Sequence, residues 1–295
     1  MINKIFIILI LVAICLSQGI NDYSFNTPES ASMAGAIVSS EGGNWSLYNN
    51  PATLIDVEKK QLSLGYSNLY NQSYLPLSSY GMIMPTKYGF NLGVKYIGFD
   101  VEYQDVELLS ESIVGIVGSI NLLKDKNSTL SFGVSLNRHK IKFGKSAGSS
   151  GDGTNGISAS SMNSSSLDIG FLASLREKYR VGVFIKNINS SSIGNGISSQ
   201  ILPRKIDIGF TALPFDYLMV SFSMEQLLGY ESPQFRSSVR YRLNRILYLN
   251  AGIQTNPNRL GLGFILKNKK ISLSYGYLTH HILPGTHQSS IGFSF

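Results

Sequence analysis

From Gln61 onward, apolar and polar residues alternate with a period of two through fourteen consecutive segments. They run over 61–69, 77–85, 89–103, 110–122, 128–145, 164–175, 180–189, 203–212, 217–226, 235–243, 246–255, 259–267, 270–278 and 286–295. Leu167, Ile169, Phe171 and Ala173 share one face of their segment, and Asp168, Gly170 and Ser174 the other. Leu218, Val220, Phe222 and Met224 oppose Ser221, Ser223 and Glu225. Leu260, Leu262 and Phe264 oppose Gly261 and Gly263, and Ile271, Leu273, Tyr275 and Tyr277 oppose Ser272, Ser274 and Gly276. A period of two predicts strands. It does not say whether the apolar face meets a core, as in a sandwich, or lipid, as in a barrel.

Three further features favour the barrel. The connections alternate between short charged turns and longer Ser/Gly/Asn-rich loops. The short ones are Thr86–Tyr88, Lys124–Asn127, Arg176–Lys178, Pro214–Asp216, Asn244–Arg245 and 267–270. The long ones are 70–76, 104–109, 146–163, 190–202, 227–234 and 279–285, with 256–258 the one short exception. Short turns on one side and long loops on the other are the habit of outer-membrane barrels. The polar face is mostly Ser and Gly, where a water-facing sandwich would carry Lys and Glu, and so small a lining suits a lumen that something else fills. Ser289, Ile291, Phe293 and Phe295 share a face of the last segment, and a closing strand with a terminal Phe resembles the signal read by barrel-assembly machinery.

Residues 20–60 do not alternate. Thr27-Pro28-Glu29 places a capping hydroxyl, a proline at the first helical position and an acid in the first turn. Asn50-Pro51-Ala52 repeats the cap-then-proline pattern for a turn reaching about Ile55. This segment is expected to sit in the lumen as a plug. Residues 1–19 read as a signal peptide: Lys4, an apolar run from Ile5 to Cys15, and small residues at Ser17 and Gly19. No later stretch is long and apolar enough for a spanning helix, which needs roughly 18 such residues. The expected architecture is therefore all-β: a transmembrane antiparallel β-barrel of about 14 strands over 61–295, preceded by a short helical plug segment.

Charge and composition change this picture little. Lys and Arg number 25 against 18 Asp and Glu, for a net charge of +7, but the cations are spread over turns and strand ends. There they serve solubility or touch lipid headgroups, and an exported chain meets no genomic nucleic acid. The single cysteine, Cys15, lies within the signal, so no disulfide or thiol chemistry is expected.

No site stands out for catalysis. Gly151-Asp152-Gly153-Thr154-Asn155-Gly156 spells a dinucleotide fingerprint, but in a loop with no strand before it and no helix after it. His280, His281 and His287 crowd one loop without a nearby acid, short of a metal set. The chain holds no Gly-x-Ser-x-Gly elbow and no zinc motif, so neither enzymatic activity nor a cofactor is expected. Charges on the inner face stand out instead: Arg236, Arg240 and Arg242 on one strand, Asp207 and Glu225 on the two before it, and Asp168 further back. Buried charges need partners, so these read as an ion-pair ladder holding the plug or as a stripe that contacts a ligand or peptide.

Two stretches resemble a known family. Ser30-Ala31-Ser32-Met33-Ala34-Gly35-Ala36, followed by Asn49-Asn50-Pro51-Ala52-Thr53-Leu54 and the strand Gln61–Tyr66, resembles the N-terminal signature of the PorV/PorQ family, relatives of the FadL-type hydrophobic-compound channels. His281–Phe293 resembles its final hairpin, although Ala34-Gly35 replaces the usual Gly-Gly and Pro284 stands where Gly is expected. The resemblance implies a 14-stranded barrel. It implies either support of type IX-like protein secretion and surface attachment, by docking secreted proteins or secretion components, or uptake of hydrophobic small molecules. The docking role is the first expectation and transport the alternative, with an apolar pocket to be supplied by Met33, Ile37, Trp45 or Leu54.

Overall fold

In the computed structural model, which describes residues 25–103, 106–146, 148–149, 155–157, 160–194, 199–229 and 232–295, fourteen antiparallel strands close into one barrel. The strands are β1 (Gln61–Asn68), β2 (Pro76–Pro85), β3 (Phe90–Tyr103), β4 (Val106–Lys124), β5 (Ser128–Phe143), β6 (Met162–Leu175) and β7 (Tyr179–Lys186). They continue with β8 (Lys205–Phe215), β9 (Leu218–Leu227), β10 (Gln234–Arg242), β11 (Leu247–Gln254), β12 (Arg259–Lys267), β13 (Ile271–Leu278) and β14 (Thr286–Ser294). Each pairs with its sequence neighbour, and β14 pairs with β1 from Gln61–Ser294 to Asn68–His287, so the sheet closes on itself. The expected signal peptide, 1–19, and residues 20–24 lie outside the described residues.

The alternation read from sequence is the alternation of the wall. Leu64, Ile116, Leu136, Phe222, Ile253 and Leu262 point outward and are exposed. Ser63, Ser79, Ser131, Ser135, Ser221 and Ser238 point inward and are buried. An exterior this apolar belongs in lipid; in water it would be a sticky patch running right around the molecule.

Two boundaries differ most from expectation. The connection read as 104–109 contracts, because β4 begins at Val106, and the turn read as Pro214–Asp216 contracts, because β8 runs to Phe215. Both extensions carry little apolar alternation, since they project beyond the stretch where one face must be apolar.

One seam interrupts the wall. The β6–β7 ladder spans only Ile169–Ile185 to Leu175–Tyr179, so the seven residues Met162–Asp168 of β6 have a ladder partner only on the β5 side. Residues 187–192 of the following connection bond to this stretch instead. Ile188 N–H donates to Leu167 O (2.9 Å), Leu167 N–H to Asn189 Oδ1 (3.1 Å) and Asn187 N–H to Asp168 Oδ1 (2.9 Å).

Candidate functional site

Residues 25–57 run through the interior of the barrel. Helix α1 (Pro28–Ser32) starts at Thr27, whose Oγ1 accepts from Ser30 N–H at 3.1 Å. The chain then turns through Ala34 and Gly35, both at positive φ, and a Cβ on Gly35 would lie 2.7 Å from Arg236 Nη1. Helix α2 (Ser46–Asn49) leads into a 3-10 helix over Pro51–Asp56. Asn50 is the knot between these parts: its Oδ1 accepts from Ala52 N–H (3.0 Å), and its Nδ2 donates to Val38 O (2.8 Å) and Phe171 O (3.3 Å). The Asn-Pro-Ala element thus ties two arms of the inner segment to each other and to β6.

Glycine on the wall is what lets the segment come so close. Four pairs of glycines face each other across adjacent strands: Gly133/Gly170, Gly182/Gly209, Gly252/Gly261 and Gly263/Gly276. A Cβ at Gly170 would lie 2.1 Å from Asn50 Oδ1, one at Gly182 2.5 Å from Val38 O, and one at Gly252 2.3 Å from Met33 C. Each pair is a notch filled by inner-segment backbone or side chain, and the sequence announces only that the lining is small.

Ion pairs and hydrogen bonds complete the seat. Arg240 pairs with Glu29 and lies 3.1 Å from Met33 Sδ. Arg180 pairs with Asp56 and donates to the carbonyls of Ser39 (3.1 Å) and Ser40 (3.3 Å). Asn91 Nδ2 donates to Leu54 O (2.9 Å) and Val57 O (2.8 Å), holding the end of the 3-10 helix. Ser238 Oγ donates to Ala36 O at 3.1 Å. Pro51, Ala52 and Leu54 are buried, Leu54 in an apolar cluster with Trp45, Leu47, Tyr48, Leu77, Ile83, Ile97 and Phe99. Met33 and Ile37 pack on Met219.

The inner-face charges fall into separate groups. Arg236 reaches Glu225 (2.8 Å) and Asp207 (3.8 Å), and Lys205 reaches Glu225 (3.2 Å). Asp168 belongs elsewhere: it accepts from Asn137 (2.7 Å) and lies 3.8 Å from Lys95. Arg242 is on the same face as Arg236 and Arg240 but is exposed at the end of β10. Asp56, Lys95 and Arg180, which complete these pairs, drew no attention in the sequence, and Glu29 was legible only as a first-turn acid, because their partners are brought by closure of the barrel. Phe293 pairs across to Leu62 and Ile271 on the closing strand, and Phe295 is exposed with its N–H donating to Lys60 O (3.0 Å).

Two chambers remain beside the segment, on the long-loop side. The larger encloses about 1210 Å³, open mouth included. Leu69, Leu75, Leu77, Phe99, Leu227 and Leu278 form its apolar side, Phe25 lines it from the inner segment, and Lys205, Glu225, Arg259, Gln234, Gln254 and Gln288 form its polar side. The Arg259 guanidinium lies 5.4 Å from the centre of the Phe25 ring. The second, of about 790 Å³, is bounded by Tyr48, Ile97, Ile113, Ile141, Ile193 and Leu202, with Lys95, Asn137, His139 and Asp168 at its polar side. Ile193 and Leu202 come from the connection that follows β7. At the other end, Arg180 and Asp56 border a charged recess among the short turns.

The three loop histidines go to aromatic contacts. His280 packs against His281 with the rings tilted (4.4 Å between ring centres) and meets Tyr70 edge-on (5.1 Å), while His287 Nδ1 bonds to the Tyr275 hydroxyl (2.6 Å). Partial burial, then the neighbouring Arg259 and His281, hold the His280 imidazole below the usual histidine range. Residues 151–154 of the dinucleotide-like string lie outside the described residues.

No protein-family profile matches the chain, and no curated protein does. The fold is similar to that of the CymD monoaromatic hydrocarbon channel, with a TM-score of 0.62 and 13% identity over 93% of this chain and 97% of that one. It is similar to the Ralstonia pickettii toluene transporter TbuX, with a TM-score of 0.61 and 12% identity over 92% and 98%. A Pseudomonas aeruginosa FadL homologue matches at 0.55 and 11% over 91% and 97%. At such identities the likeness is one of fold.

Proposed function

We propose that this chain is an outer-membrane channel for small hydrophobic molecules, with the inner segment as its plug. The carrying observation is the larger chamber: a space between the long loops and Phe25, with an apolar side of leucines and Phe99 facing a polar side that includes Lys205, Glu225 and Arg259. Such spaces suit apolar ligands. A single aromatic ring burying roughly 150 Å² gains about 4 kcal/mol at ~25 cal/mol/Å². That corresponds to binding in the millimolar range, weak enough for release. The short-turn end is closed by Arg180 on Asp56, Ser39 and Ser40, so straight passage needs the plug to move. The seam beside the second chamber is held largely by side chains and residues 187–192, and is the exit we assign. A hydrophobic solute leaving there passes into lipid without meeting water.

The fold likeness is to channels named for hydrocarbons, and this ranks transport above the docking role in secretion or surface attachment that the PorV/PorQ resemblance suggests. The test is uptake by a deletion strain with and without the restored gene. Faster initial uptake of a labelled monoaromatic hydrocarbon on restoration supports the channel. Equal rates, together with loss of anchored proteins from the surface of the deletion strain, would put docking first.

A further inference from the structure

The outward face of β5 changes character part-way up. Leu130, Phe132, Val134 and Leu136 face lipid; the next three positions on that face are Arg138, Lys140 and Lys142. A tilted strand crosses the hydrocarbon in about 9–11 residues. Arg138 is the eleventh residue of β5, counted from the short-turn end at Ser128. The basic run therefore begins where the hydrocarbon of the outer leaflet ends. Charge on this face is costly at mid-bilayer and nearly free at the interface.

Neighbouring strands leave these cations unneutralised. Arg138 is flanked by Val114 and Ser165, and Lys140 by Ser112 and Asn163. Ser165 Oγ accepts from Arg138 Nη1 at 3.1 Å and steadies the guanidinium. Lys142 is paired with Glu107 at 2.9 Å, whereas Arg138 and Lys140 have no acidic partner among the described residues. The result is an outward-facing pair of free cations beside a hydroxyl and an amide, directly above an apolar belt. Arg and Lys with such donors are suited to phosphate oxygens.

We propose that Arg138 and Lys140, with Ser165 and Asn163, bind the phosphate groups of an anionic glycolipid of the outer leaflet, whose acyl chains lie along Leu136 and Val134. The proposal rests on the bilayer placement above but not on what the lumen carries, so uptake assays and lipid assays fail separately.

The full chain, refolded in detergent and checked by its heat-modifiable mobility, is titrated with a bis-phosphorylated glycolipid and with its dephosphorylated form. We expect half-saturation at a concentration at least tenfold lower for the phosphorylated lipid. The double variant Arg138→Gln/Lys140→Gln removes that difference, and the charge-keeping Arg138→Lys/Lys140→Arg retains it. Should the double variant fail to fold, Lys140→Gln alone carries the comparison with a drop of about threefold. Removing two turn cations, Lys126→Gln/Lys178→Gln, leaves binding unchanged. Equal binding of the two lipids overturns the proposal, as does an unaffected glutamine variant. So does an equal loss in the turn variant, which marks net charge alone, or inorganic phosphate competing as tightly as the lipid.

Discussion

Gly133 and Gly170 stand opposite each other in the β5–β6 ladder, and the Asn50–Ala52 stretch lies across both, with Asn50 Oδ1 and Ala52 N in the space two Cβ atoms would take. At Gly133 the close atoms are the backbone of Pro51 and Ala52; at Gly170 they are the Pro51 ring, which cannot turn aside, and Asn50 Oδ1, which is held by the Ala52 N–H.

Gly170→Val is therefore expected to lift the inner segment off β6 while the strands stay paired. Overpacking of this kind costs about 1–3 kcal/mol. Limited proteolysis checks it: new cleavage between Ala36 and Asp56, with heat-modifiable mobility preserved. A segment as resistant as before would mean that β6 moves instead.

Arg180→Ala removes the side chain that holds Asp56 and the Ser39 and Ser40 carbonyls at the short-turn end. Asp56 is partly exposed, so we expect a loss of only about 1–2 kcal/mol in seating the segment, well under the cost of breaking a fully buried pair. In planar bilayers the variant should show more frequent and larger openings than the parent, and Asp56→Asn a smaller change in the same direction.

Leu75 lines the larger chamber and is only half-buried, so altering it touches the ligand space more than the core. Leu75→Ser should slow hydrocarbon uptake about tenfold, the equivalent of roughly 1.4 kcal/mol of lost apolar contact. An unchanged rate would move the ligand path away from this chamber.

Glu225 is the shared partner of Lys205 and Arg236 inside the wall. Glu225→Gln leaves one carboxylate, Asp207, beside the two buried cations and is expected to cost about 3 kcal/mol. The temperature at which heat-modifiable mobility is lost reports it. Asp216→Asn, in an exposed turn, should fall within about 0.5 kcal/mol of the parent.

Strand number and order were legible because lipid outside and small residues inside impose the same period on every crossing. Where that demand stops, so did legibility: Val106–Leu109 joins β4 with Glu107 among its residues, and Phe215 extends β8 past Pro214. The inner-face positions of Asp168, Asp207, Glu225, Arg236 and Arg240 followed from alternation. Their partners did not, since Glu29 meets Arg240 across 211 positions and Lys95 reaches Asp168 only through the curvature of the closed sheet. Asn91 looks like any strand asparagine until the carbonyls of Leu54 and Val57 are placed over it.

The glycine notches have a consequence for assembly. They are cut to one occupant, and a sheet closed around water would leave them as gaps in the lining. The segment thus serves as a mandrel on which the sheet is wound. β1 begins at Gln61, just past the last anchored turn at Val57, and the Phe295 N–H meets Lys60 O at that same point. The stitch that completes the cylinder is made where the mandrel ends, so closing the sheet and seating the segment are expected to depend on one another.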